Sequence, residues 1–197
     1  MIRNIFKRFY NRNITPFPEI KDVFLEPLDE LDKVFFPVCT IRLGDIKKEW
    51  EDEKIHLIQF NEDPYNDDTK QYFNDYCKDN MIAFDLVNSK YRFKTDIKYF
   101  QVSPKWEKCL NDTARTYQQS KEKFLQNQED SGIGLLSLGG EPEWWQHDNT
   151  PIDPDGNPME FITEFETGTI CDDWCSKKIY LFYSHKFKMA VQVYQIT

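Results

Sequence analysis

The chain is predicted to fold as a mixed α+β domain, and three observations point there. Stretches rich in β-branched and aromatic residues recur at 33–43, 54–60, 81–87, 91–102 and 177–197. Two segments carry helical apolar spacing, one after Asp68 and a longer one running from Ser103 to about Asn127. Short polar turns near 88–90 and 184–186 join neighbouring strands as hairpins, which makes those pairs antiparallel. At 197 residues the chain is long enough to bury an ordinary core, and it is read as one domain.

Each element has its own reason. The opening IRNIFKRFY sets Arg3, Lys7 and Arg8 among Ile2, Ile5, Phe6 and Phe9. That pattern suits a terminal helix packing its apolar side on the domain, or one lying on a membrane surface. Residues 1–20 are thus read as a helix and its connector, since the prolines of ITPFPE (14–19) favour extended backbone. In KVFFPVCTIRL (33–43), Pro37 demotes the strand to an edge or bulged position. KIHLIQF (54–60) is apolar almost throughout and should be buried on both faces. NEDPYNDD (61–68) is an acidic turn, and Asp68 with Gln71 reads as a capping box. The helix expected there places Tyr72, Phe73, Tyr76 and Cys77 on one stripe. MIAFDLV (81–87) and YRFKTDIKYFQV (91–102) read as strands joined through Asn88-Ser89-Lys90. Ser103-Pro104 offers a cap and a first-turn proline for a long helix whose apolar face is Trp106, Leu110, Tyr117 and Phe124. Residues 126–134 form a polar loop, and the tail supplies two more strands. Lys54–Ile58 echoes Lys178–Phe182 in pattern, which suits a fold with two related sheet units.

Composition removes several functions. Aromatic residues make up 16% of the chain, led by 16 Phe and 10 Tyr, so rings rather than aliphatics fill the interior. With 34 acidic against 25 basic side chains the net charge is −9, which disfavours nucleic-acid binding and suits a basic partner or simple solubility. Cys39, Cys77, Cys109, Cys171 and Cys175 are an odd number without framework spacing, and no secretory pattern precedes them. Free thiols in a reducing cytoplasm are expected. No apolar run approaches the length of a membrane span.

Catalytic and metal signatures are thin. The glycine-rich GIGLLSLGG lacks the lysine and the spacing of a phosphate loop, and no nucleophile elbow occurs. Cys171 and Cys175 are a C-x₃-C pair with no second pair, so no metal site is assigned. Asp153-Pro154-Asp155-Gly156 lacks the later acidic positions of a calcium loop and reads as an Asp-rich β-turn. A hydrolase built on His147 with Asp148, Asp153 or Cys171 stays open as the alternative to a binding role. No cofactor is expected.

The densest stretch is SLGGEPEWWQ (137–146). Of the seven glycines, only Gly44 precedes residue 132, and Gly139-Gly140 lets the backbone take positive φ. Pro142 stiffens the residues after it, and the adjacent rings of Trp144 and Trp145 in an extended run face opposite ways. One ring then fills the core while the other meets a partner, unless a neighbouring element buries both.

Leu138, Gly139, Gly140, Pro142, Trp144 and Gln146, then Gly156, Pro158 and Met159, then Tyr180 and Phe182, form an ordered set. This set resembles the bacterial YwqG-like family and, more distantly, the C-terminal domain of the programmed-cell-death-two proteins. The match lies in the last third of the chain, within 132–197. Some relatives carry a Cys-x-x-Cys where this chain has Ile152 and Asp155. The resemblance implies an α+β fold of mainly antiparallel sheet, with two or three flanking helices and no established catalytic residues. It also implies a binding role, since eukaryotic relatives partner a basic ribosomal protein and bacterial ones neighbour toxin–immunity genes. The expected function is therefore a non-enzymatic cytoplasmic protein that binds a protein or peptide, in an immunity-type or chaperone-like role. The expected contact residues are Trp144, Trp145, Gln146, Tyr180 and Phe182, presented by turns at Gly139, Gly140, Pro142, Gly156 and Pro158.

Overall fold

A computed structural model of the chain describes residues 11–25, 31–63, 66–127, 133, 136–171 and 176–197. The expected N-terminal helix lies mostly in the first ten residues, outside that set. The prediction of an α+β fold built on antiparallel sheet holds. Strands β1 (Ile14–Pro16), β2 (Phe35–Arg42) and β3 (Lys54–Phe60) form one antiparallel sheet in that order. Strands β4 (Met81–Val87), β5 (Lys90–Phe93), β6 (Glu160–Glu166), β7 (Lys177–Ser184) and β8 (Met189–Ile196) form a second, ordered β5-β4-β8-β7-β6. A short helix α1 (Ile20–Val23) and a long α2 (Glu107–Asn127) accompany them.

Local chemistry explains most of the boundaries. β2 bulges between Pro37 and Cys39, where proline has no N–H to give the ladder. Asn88 and Ser89 both take positive φ, the geometry of a two-residue hairpin turn, and join β4 to β5. α2 starts as expected at Ser103-Pro104, after one 3₁₀ turn. The Ser103 hydroxyl, however, donates to Asp63 at 2.5 Å instead of capping the helix.

Three expectations are corrected. The helix after Asp68 is only a 3₁₀ segment, Asp67–Tyr72, capped by Asn66. It stops there because Asn74 Oδ1 accepts from the N–H groups of Tyr76 and Cys77, a local turn that competes with helix. The strand expected over 91–102 ends at Phe93, since Asp96 caps a 3₁₀ turn at Ile97–Phe100 through the Lys98 N–H. The connector at 14–19 is a short strand that breaks at Phe17, where φ is 48°.

The layers follow from the aromatic content. Between the sheets, Phe35 of β2 meets Phe84 of β4, Phe93 of β5 and Phe100, each at 5.0–5.6 Å between ring centroids. On the far side of β2, Phe36 packs on Tyr117 of α2, whose hydroxyl donates to the Pro37 carbonyl at 2.7 Å. The order through the molecule is thus α2, three-stranded sheet, five-stranded sheet.

Strand β3 ends the smaller sheet, and its outer edge is closed by side chains of the larger one. The Tyr91 hydroxyl accepts from the His56 N–H at 2.8 Å and donates to the His56 carbonyl at 2.7 Å. The Gln192 amide does the same for Ile58, at 2.7 and 2.8 Å. Lys177 Nζ reaches the Phe60 carbonyl at 3.4 Å. Three alternate residues of one edge are therefore satisfied without another strand, which removes a surface that could template further pairing.

Candidate functional site

β7 alternates Lys178, Tyr180 and Phe182 away from the smaller sheet, and residues 136–159 run across this outer face as a strap. The strap starts at the β6 edge, where the Gly139 N–H donates to the Ile162 carbonyl and Thr163 Oγ1 donates to the Ser137 carbonyl, both at 2.8 Å. Gly139 and Gly140, at φ 73° and 89°, then turn the chain over the sheet, a region that branched residues disfavour.

A polar network under the strap holds it down. The Glu143 N–H donates to Glu164 Oε2 at 2.8 Å. The Glu143 carbonyl accepts from Tyr180 Oη and Lys178 Nζ, each at 3.0 Å, and Lys178 also pairs with Glu164 at 2.6 Å. Tyr180 Oη in turn accepts from the Trp145 N–H at 2.9 Å. Gln195 of β8 accepts from the Gln146 N–H at 2.9 Å and donates to the His147 carbonyl at 2.7 Å. Burial pushes the Tyr180 phenol up to about 12, so it remains a neutral donor and acceptor at ordinary pH.

The tryptophans take different environments. The Trp144 ring lies 4.4 Å from Tyr180 and stacks on Phe182 at 5.9 Å. Trp145 is half-buried and is not among the residues packed on the core. Tyr180 and Phe182 are 0% and 1% exposed, so they support the strap from beneath. Gln146 is exposed, and its side-chain amide donates to the Ile196 carbonyl at 2.8 Å. The strap does not form the extended run expected after Pro142, because residues 145–147 bend over β7 and β8.

Beyond the bends the strap forms one wall of an open groove of about 630 Å³. Its floor is Met81 and Val193, which are partners in the β4–β8 ladder. One wall is the turn carrying Lys78, Asp79 and Asn80, and the other carries Asp148, Asn149 and Ile152. Ile152 is 47% exposed. Pro158 completes the wall, bridged to Ile152 by the expected Asp-rich turn. In that turn Asp153 Oδ1 accepts from the N–H groups of Asp155 and Asn157, and Gly156 takes φ 85°.

The groups of the hydrolase alternative are dispersed in use. His147 is exposed, and among the described residues no hydrogen bond or ion pair joins its ring to Asp148, Asp153 or Cys171. The Thr150 hydroxyl and N–H donate to Asp148 Oδ1 and hold that carboxyl below its usual range. Asp153 is committed to its turn, and Cys171 is buried with its thiol 3.4 Å from the Thr167 carbonyl. No group of three or more potential metal ligands occurs among the described residues. Cys175, the other member of the C-x₃-C pair, lies outside them. No described helix is long and apolar enough to cross a membrane.

Sequence reasoning missed Lys178, Glu164 and Gln195 beneath the strap, and Asp79, Met81 and Val193 in the groove. Polar residues sharing a sheet face with Tyr180 and Phe182 were the available signal for the first three. The groove residues come from separated segments and carry no shared motif. The chain matches no protein-family model, no curated protein and no solved structure.

Proposed function

We propose that this chain is a non-enzymatic cytoplasmic protein that binds a basic protein or peptide, as an immunity-type or chaperone-like adaptor does. The observation that carries the reading is the open groove, with an apolar floor and carboxylates on both walls, beside a strap locked to the sheet. A rigid edge next to a shallow apolar trough suits a polypeptide segment better than an enclosed small molecule. The net charge of −9 favours a cationic partner and opposes nucleic acid. The resemblance to YwqG-like proteins agrees with a binding role, and the four described cysteines, none in a disulfide, agree with a reducing compartment. Purifying the tagged chain from its own cells at low and high salt tests the proposal. A stoichiometric basic protein released as salt rises supports it, and a chain that emerges alone at low salt overturns it.

A further inference from the structure

We infer that the groove holds an extended peptide segment containing an arginine, with Asp79 and Asp148 taking the guanidinium and Asn149 taking the peptide backbone. This inference rests on the binding reading above and assigns its chemistry. Asp79 and Asp148 stand on opposite walls of the groove. The Asp79 residue is exposed at φ 53°, and among the described residues its carboxylate has no hydrogen-bond or ion-pair partner. Asp148 spends Oδ1 on Thr150 and keeps Oδ2 for a ligand. Asn149, next to Asp148 on the strap wall, is half-buried, and among the described residues its amide donates to nothing and accepts from nothing. A free primary amide can accept one peptide N–H while donating to a carbonyl.

The remaining chemistry selects an extended arginine-bearing segment. Alternate residues of an extended chain point to opposite sides, so the guanidinium can reach the rim while its neighbour lies on half-buried Met81 and exposed Ile152. A planar guanidinium with five donors spans two carboxylates better than a point-charge ammonium. Among the described residues, the one cation in the lining is Lys78, which sits 3.9 Å from Asp75. Burial chiefly raises the Tyr76 phenol beside the groove, and Asp153 and Asp75 raise it further.

The test is a ¹H–¹⁵N titration of the whole chain with acetylated, amidated Gly-Ser-Leu-Arg-Leu-Ser-Gly and with its Glu-for-Arg counterpart. The arginine peptide should give saturable shifts at the amides of residues 78–81, 148–150, 152 and 193, and the glutamate peptide none. The Asp79→Asn/Asp148→Asn double variant should bind the arginine peptide about tenfold more weakly or worse. Asn at 148 keeps an oxygen for Thr150, so spectral dispersion should be unchanged. Asn149→Ala should weaken arginine and lysine versions of the peptide by the same factor, because it acts on the backbone. Absence of saturable groove shifts, equal binding of the two peptides, or an unaffected double variant would overturn the inference. If a co-purified basic partner is retained equally by the double variant, the groove assignment falls while the binding reading stands. If the arginine peptide binds the groove but the chain carries no partner in its own cells, the assignment stands and the adaptor reading falls.

Discussion

Replacing Gln192 by methionine tests how the two sheets are held together. The side chain is 0% exposed and occupies both the N–H and the carbonyl of Ile58 on the outer edge of β3. Methionine is of similar length and fills the space, so the loss is polar and not a cavity. Each buried backbone group left unpaired costs about 1–3 kcal/mol, and two of them give roughly 2–6 kcal/mol. In a chain of this size about 3 kcal/mol corresponds to a fall in Tm of roughly 6–12 °C. Gln118→Met is the control, since that amide is exposed and among the described residues bonds only Glu122, and its change should stay within about 0.5 kcal/mol. Urea unfolding followed by tryptophan fluorescence and far-ultraviolet circular dichroism measures both variants. A Gln192→Met protein within about 0.5 kcal/mol of wild type would show that edge capping contributes nothing, whatever its geometry.

Other consequences rest on single residues. Gly140→Val should lose about 1–3 kcal/mol from positive φ alone. No heavy atom beyond its chain neighbours lies within 4 Å of the added Cβ, so wild-type stability on melting would contradict the stated cause. Trp144→Ala removes the ring stacked on Tyr180 and Phe182 and should cost about 2 kcal/mol or more. Trp145→Ala keeps its backbone bond to Tyr180 and should cost less than about 1 kcal/mol, and equal large losses in a denaturation pair would refute the distinction. His56 is buried, with its ring between Thr40 Oγ1 and the Ser89 carbonyl, and burial lowers its pKa from 6.5 to about 4. The unfolded chain therefore takes up the proton first, so this stability is whole above about pH 6.5 and is lost as pH falls toward 4. The loss amounts to about 3 kcal/mol. His56→Gln should flatten that slope in unfolding curves taken from pH 7 to pH 4, and an unchanged slope would place the proton elsewhere.

The nearly apolar run KIHLIQF announced a strand buried on both faces, and the polar Asn88-Ser89-Lys90 announced the hairpin. The closure of the β3 edge was not legible, because Gln192 lies 134 residues from Ile58 and looks like any polar strand residue. The overextended helix after Asp68 and the overlong strand after Tyr91 failed for one reason. Asn74 and Asp96 each offer the backbone a local side-chain acceptor, and apolar periodicity does not register that competition. At the site, Gly139-Gly140-Glu141-Pro142 announced a stiff turn beside two rings. It could not announce that Tyr180 and Phe182 lie beneath the strap, nor that Asp79, Asp148 and Val193 meet in one groove. Those contacts depend on sheet order, with β8 set between β4 and β7.

Competitive elution tests the central claim, that a basic polypeptide occupies the groove, most directly. The tagged chain with whatever it retains from its own cells is washed at low salt and eluted with the arginine peptide or its glutamate counterpart. The account predicts that a basic protein leaves with the arginine peptide and stays with the glutamate one. A column that yields nothing with either, or the same protein with both, would contradict it.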